Sequence, residues 1–417
     1  MPLDRRAFLR WSAAAGVAAA WTGLAAARPG RPPWSPNDQI GIGLIGVGGM
    51  GGAHLRTLLG MPEEFRVLAV ADVDRGRAER AAAAAGGVPS FGDYRRLLEL
   101  PELDAVLIAT PDHWHALPAV HACEAGLDVY CEKPLSLTIR QGREMVRAAR
   151  RAGRVFQTGS QQRSDPLFRR AVELVRNGAI GRIERVQVAL FRGPSAPWQP
   201  PEPPPDGLDW DFWLGPLPWE EYRPRRCHYD FRWFLASSGG MLTDWGAHHN
   251  DIAQWGLGRE ESGPVEIEGT AEFDPDSMFT TPVRFEVHYR YPDGVELVCS
   301  SEGRNGVTFH GEGGRIFVTR GALEADPPEL LDLPVGGSWR LPPSPGHHRD
   351  FAACVRSRSR PIADVEIGHR SATICHLGNL AILLRRRLFW DPEQERFRRD
   401  EEANRLLDRP MRAPWSL

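Results

Sequence analysis

The stretch Ile40-Gly41-Ile42-Gly43-Leu44-Ile45-Gly46-Val47-Gly48-Gly49-Met50-Gly51 decides the fold. Its first half is an apolar run of strand length, and its second half is glycine-rich. His54, Leu55, Leu58 and Leu59 follow at helical spacing, so the segment reads as strand, tight turn and helix. A second apolar run, Val67 to Ala71, ends at Asp72, 21 positions beyond Gly51. A G-x-G-x-x-G turn in that setting, with an acid at that distance, is the signature of a dinucleotide site. Gly46 permits the turn, Gly48 lets backbone approach a pyrophosphate, and Gly51 lets helix and strand pack closely. Gly49 and Met50 lie at the helix N-terminus, whose unpaired amides suit phosphate. Asp72 would accept hydrogen bonds from the adenosine ribose and repel a 2′-phosphate, so NAD is expected rather than NADP. Asp74 is its nearest substitute, and Arg75 is a neighbouring cation able to soften the discrimination by pairing with phosphate.

Further along, Ala105 to Ala109 ends at Thr110-Pro111, Val129-Tyr130-Cys131 leads into Glu132-Lys133-Pro134, and Val155-Phe156-Gln157 follows a basic helical segment. Helical patterns at Arg75 to Ala85 and Leu117 to Ala125 separate these runs. Short buried strands alternating with helices predict an α/β, doubly wound parallel sheet over residues 38–158. Thr110, Pro111, His115, Glu132 and Lys133 then fall at strand ends, where such a sheet gathers its ligand contacts. Beyond residue 158 the rhythm becomes period-two alternation, at Ile183 to Phe191, Val265 to Phe273, Val283 to Tyr291 and Val295 to Cys299. That predicts an α+β domain, 159–417, on an antiparallel sheet with one wet face. Pro194 to Pro218 reads as an irregular arm or lid, and Glu366 to Arg387 as a helix.

A formal net charge of -3 gives no footprint for nucleic acid or an anionic membrane surface. The six cysteines contain no C-x-x-C pair, so zinc and thioredoxin-like sites are not expected, and buried free thiols are. At the N-terminus Arg5-Arg6 precede an apolar stretch, Trp11 to Ala27, that closes on Ala25-Ala26-Ala27. This predicts a twin-arginine signal over 1–27, a linker over 28–37, and delivery of the folded protein to the periplasm or cell envelope by the twin-arginine translocase. The apolar stretch falls short of the ~20 residues that span a bilayer, which favours a cleaved signal.

Three motifs in order, Thr110-Pro111-Asp112-His113-Trp114-His115, Glu132-Lys133-Pro134 and Asp244-Trp245-Gly246-Ala247-His248, together resemble the Gfo/Idh/MocA oxidoreductase family over nearly the whole chain beyond the leader. The resemblance implies a Rossmann domain followed by a domain with an open antiparallel sheet, and catalytic roles for Lys133, Asp244 and His248. Oxidising a carbinol needs a base near neutral pKa, which suits His248. Lys133 would donate to the same oxygen and stabilise its developing charge. Asp244, four residues before His248, shares a helix face with it and could orient the imidazole or contact a substrate hydroxyl. Consecutive His248 and His249 on a helix point about 100° apart, so no metal site is expected.

Half of the fourteen tryptophans, Trp198, Trp210, Trp213, Trp219, Trp233, Trp245 and Trp255, lie in one stretch with His228, Tyr229 and Arg232. Aromatic faces with a few directed polar groups suit a sugar, so those last three are candidate substrate contacts. The expected activity is oxidation of a sugar, cyclitol or glycoside CH–OH group by a homo-oligomer holding NAD tightly. Two alternatives remain open. One is an NAD-dependent glycosidase or epimerase that oxidises a ring hydroxyl transiently and returns the hydride. The other is a binding protein without turnover, which Lys133 and His248 argue against.

Overall fold

The computed structural model describes residues 38–334 and 339–417, so the expected signal and linker lie outside the described residues. Strands β1 (Ile40–Ile45), β2 (Phe65–Ala71), β3 (Ser90–Phe91), β4 (Ala105–Ile108), β5 (Asp128–Cys131) and β6 (Phe156–Thr158) form a sheet in the order β3-β2-β1-β4-β5-β6. Every pairing in it is parallel. The helices between them are α1 (Gly49–Leu59), α2 (Arg75–Ala84), α3 (Tyr94–Leu98), α4 (Ala116–Glu124) and α5 (Ile139–Ala152). Side chains alternate across a strand, so β1 sends Ile40, Ile42 and Leu44 into one core and Ile45 into another, and β4 divides Ala105 and Leu107 from Val106 and Ile108. Two cores on opposite faces explain why these strands read as continuous apolar runs. Strand order reverses between β1 and β4, which opens a crevice at their carboxyl ends.

The second sheet is built from β7 (Ile183–Ala189), β8 (Glu266–Glu272), β9 (Arg284–Arg290), β10 (Glu296–Ser300), β11 (Gly306–Gly311), β12 (Gly314–Thr319), β13 (Ala322–Asp326), β14 (Leu388–Asp391) and β15 (Arg396–Phe397). Its order is β13-β12-β11-β7-β10-β9-β8-β14-β15. The expectation of a purely antiparallel sheet is corrected here, because β7 and β10 run parallel and the sheet is mixed. The chain between them passes through the arm, helices and strands β8 and β9, long enough to return to the same end before pairing. Elsewhere alternation holds: Phe285, Val287 and Tyr289 of β9 are buried while Arg284, Glu286 and Arg290 are exposed.

The remaining helices are α6 (Pro166–Arg176), α7 (Trp210–Leu214), α8 (Met241–Asp244), α9 (Gly246–Leu257), α10 (His347–Ser357), α11 (Val365–Leu384) and α12 (Glu401–Arg405). Helices α6, α9 and α11 pack on the inner face of the second sheet. The segment expected as helix to Arg387 stops at Leu384, because Arg385 turns left-handed (φ 52°) and the chain enters β14. Helix α10 crosses back, placing Phe351, Ala352, Cys354 and Val355 in the core behind β1. The six cysteines are buried free thiols. Among the described residues no helix is long and apolar enough to cross a membrane.

The proline-rich arm lies over the first sheet. Gly207 O accepts from Arg75 N (2.9 Å), and Asp209 N donates to Val73 O (3.0 Å). Contrary to the irregular reading, α7 forms inside it. Asp209 caps that helix through Phe212 N (2.9 Å), and Trp210 stacks on Trp213 with ring centres 4.9 Å apart.

Candidate active site

A cavity of about 550 Å³ follows the carboxyl ends of the parallel strands. At one end lies the glycine turn. Gly46 has φ 82°, and a Cβ there would sit 2.8 Å from the Ala109 carbonyl. A Cβ on Gly51 would sit 1.9 Å from Gly46 O, so helix and strand touch backbone to backbone. Space is open beside Gly49, and Met50 also lines the cavity. No side chain caps α1, whose first amides remain available for phosphate. Asp72 Oδ2 accepts from Val47 N (2.9 Å) and Oδ1 from Asp74 N (3.0 Å), which ties β2 to the turn. Burial raises its carboxyl above the usual range despite those amides, and each oxygen keeps a lone pair for a ribose hydroxyl.

The cation that faces the turn is Arg77, not Arg75. A Cβ on Gly48 would lie 2.6 Å from Arg77 Nη1, whereas Arg75 packs beside Gly207. Helical rotation explains the exchange, because Asp74 caps α2 and places Arg77, one turn on, over the glycines. His228, expected at the substrate, stands 3.7 Å from Asp74 and so lies at this adenosine end. Thr110 and Pro111 line the middle of the cavity, and Thr110 Oγ1 is buried without a partner. His115 also lines it, but its ring braces two loops, with Nδ1 2.8 Å from Pro134 O and Nε2 2.9 Å from Thr110 O. An uncapped helix, an open cradle at Gly49, an acid at ribose reach and an orphaned hydroxyl together fit NAD.

At the other end the two domains meet. Lys133 Nζ donates to Asp244 Oδ1 (2.7 Å) and to Asp244 O (3.0 Å), and Arg232 Nε stands 3.5 Å from the same carboxylate. Burial alone would raise the Asp244 carboxyl, but Lys133 and Arg232 outweigh it and hold it below the usual range. Glu132, also buried, accepts from Gln161 (2.7 Å) at Oε1 and pairs there with His54 Nε2 (2.9 Å). Burial opposes its ionisation, and the His54 contact leads the interactions that overcome it and lower its pKa. Tyr229 is exposed, with the Arg232 guanidinium 4.6 Å over its ring.

Of the two roles open to Asp244, orienting His248 or meeting a substrate hydroxyl, the first has no hydrogen bond behind it in the structure. Trp245 separates α8 from α9, and both Asp244 contacts go to cations instead. His248 sits in the first turn of α9, 6% exposed and set back from the cavity wall, with Nδ1 buried and unpartnered. Burial first, then the charges of Lys133 and Arg320, holds its pKa well below the ordinary value, so the ring is neutral. His249 turns away to Asn305 (3.1 Å). The sequence reading missed Arg77, and it missed Asp112, a buried acid of the cavity wall held by Ser238 (2.5 Å). Position one helical turn after the cap could have indicated Arg77, and the motif around Thr110 already contained Asp112. Of the seven clustered tryptophans only Trp213 lines the cavity, while Trp233 and Trp255 belong to the second domain's core.

Residues 40–160 match the oxidoreductase family's NAD-binding Rossmann fold, and residues 195–417 match its C-terminal alpha/beta domain, both of the Gfo/Idh/MocA group. Inositol 2-dehydrogenase 2 of Saccharopolyspora erythraea is 33% identical over 222 residues, which is 53% of this chain and 55% of that protein. The match therefore spans about half the length of that relative. Among solved structures, the WlbA dehydrogenase from Bordetella pertussis, in complex with NADH and UDP-GlcNAcA, superposes with TM-score 0.66 at 18% identity, covering 85% of this chain and 99% of that one. Aldose-aldose oxidoreductase from Caulobacter crescentus gives TM-score 0.65 at 19% identity, covering 84% and 100%. With both domains matched in order and one cavity joining the glycine turn to Lys133, the chain belongs to the Gfo/Idh/MocA family of NAD-dependent oxidoreductases.

Proposed function

We propose that the protein oxidises a CH–OH group of a sugar, cyclitol or glycoside, in the cell envelope, with NAD retained between turnovers. The observation that carries this reading is that one cavity is lined by Asp72 at one end and by the Lys133–Asp244 pair at the other. Asp72, Thr110, Pro111 and the α1 amides would hold the cofactor, and bound NAD supplies the hydride acceptor. Two of the three Lys133 N–H bonds are committed to Asp244, and the third is assigned to the substrate oxygen. There it stabilises negative charge as the hydroxyl proton leaves. His248, kept neutral by burial and nearby cations, is assigned as the proton acceptor. Asp244 keeps Lys133 in place and offsets its charge.

Retention is supported by the arm, which bonds to Val73 and Arg75 and contributes Phe212 and Trp213 to the cavity wall. Little free nicotinamide is available outside the cytoplasm, so a cofactor exported within the folded protein would serve a redox-neutral cycle or two coupled half-reactions. The Arg5-Arg6 motif supports export, and self-association completes the proposal. The test is to purify the protein from a fractionated cell envelope, measure nicotinamide released on denaturation, and assay polyols and glycosides with and without added NAD. Net NADH formation supports a dehydrogenase, and sugar release without added NAD supports the glycosidase alternative. Turnover unaffected by both Lys133→Ala and His248→Ala would overturn the catalytic assignment.

A further inference from the structure

Arg320, in the β12–β13 turn, adds its charge beside His248 but has no ligand assigned to it. Its guanidinium stacks 4.6 Å over the ring of Trp245, the residue next to Asp244. Buried Gln162 lies against it: with its amide assigned in the orientation that satisfies both ends, the nitrogen donates to His248 O (3.1 Å) and the oxygen accepts from Arg320 Nε (3.2 Å). Those two contacts orient the guanidinium plane and leave both terminal nitrogens without a carboxylate within ion-pair distance among the described residues. Asp244, Asp165 and Glu132 are near enough for Arg320 to feel their charge, yet each is engaged elsewhere. Asp244 serves Lys133 and Arg232, Asp165 caps α6, and Glu132 is held by His54 and Gln161.

Lys133 and Arg232 contact Asp244 directly, and Arg320, stacked on the next residue, Trp245, adds a third cation beside that end of the cavity. A guanidinium oriented by an aromatic face and a hydrogen bond at Nε, with its fork open, is the geometry that recognises a carboxylate bidentately.

We propose that the natural substrate is an anionic sugar, a uronate or related sugar acid, whose carboxylate is taken by Arg320 while a ring hydroxyl lies at Lys133. The proposal rests on the sugar-oxidising reading above and narrows it. Binding alone tests it. NADH-loaded protein is titrated with glucuronate and galacturonate and with the matched neutral sugars glucose and galactose, by calorimetry at low and high salt. At least one uronate should bind tenfold or more tighter than its neutral partner, as a charge-assisted pair of about 1.5 kcal/mol or more implies, and the advantage should shrink at high salt. Arg320→Gln should abolish the preference and Arg320→Lys restore it in part, with NADH titration reporting an intact fold. Equal affinity for acid and neutral sugars, a preference that survives Arg320→Gln, or no uronate binding would overturn it. Turnover of neutral sugars alone would leave the proposed function standing while removing the carboxylate.

Discussion

The two ends of the cavity are assembled in opposite ways. The adenosine end comes mainly from one continuous strand–turn–helix–strand unit, with Gly46, Gly51, Asp72 and Arg77 close in the chain. The chemical end joins Lys133 to Asp244 across 111 positions and from different domains. Backbone geometry decides the first, since Gly46 and Gly51 have no room for a Cβ. Electrostatic pairing decides the second, where a buried carboxylate is tolerable only because two cations face it. Local rules thus build the part that binds, and domain packing builds the part proposed to react.

The sharpest way to break this contrast is Lys133→Ala. Turnover should fall roughly 10²–10⁴-fold, as loss of a positioned donor implies. NAD affinity, read by fluorescence titration, should change only a few-fold. Equal loss of both would mean the ends are one unit. Gly51→Ala attacks the other end: a Cβ 1.9 Å from a backbone oxygen should cost about 1–3 kcal/mol or more in chemical denaturation and abolish NAD binding, whereas Gly49→Ala, with open space around it, should cost far less. Asp72→Ala should weaken NAD about tenfold in equilibrium titration and narrow the preference over NADP, since Arg77 would remain beside the turn. An unchanged NAD-to-NADP ratio would remove Asp72 from the recognition site.

The smallest effect concerns pH. His248 must be unprotonated to accept a proton, and burial with two nearby cations lowers its pKa below 6.5, so the active form already predominates at that pH. The ratio kcat/KM should stay level from pH 8 down through 6.5 and decline only in more acid solution. A decline centred at or above pH 6.5 would point to a different base. Folding stability should begin to fall in that same acid range. His113, His347 and His376 have folded values of about 3, 4 and 4, so below pH 6.5 the unfolded chain binds protons that the folded chain does not.

Five strands of the first sheet were legible because both faces are buried, which leaves apolar runs such as Ile40–Ile45; β3, two residues long and not buried, left none. The second sheet was legible only where one face is wet. β13 is short with no buried residue, β15 has only two residues, and the parallel β7–β10 contact is a matter of connection rather than composition. Lys133 and Asp244 could be named from their motifs, but their mutual contact could not. Spacing allowed Asp244 to orient His248 or to meet a substrate hydroxyl, whereas its carboxylate and its carbonyl are both taken by Lys133. Arg320 had no motif at all, and its interest arises from Trp245 and Gln162, both distant in the chain.

By itself the sequence determined the parallel sheet, the dinucleotide turn and its acid, and the residue types available for chemistry, because strand burial and glycine geometry are properties of neighbouring residues. Which charges meet across the domains was decided only by the tertiary structure: Asp244 on Lys133, and Arg320 beside the same site. Coulombic contacts act through space, and chain separation carries no information about them until both domains are packed.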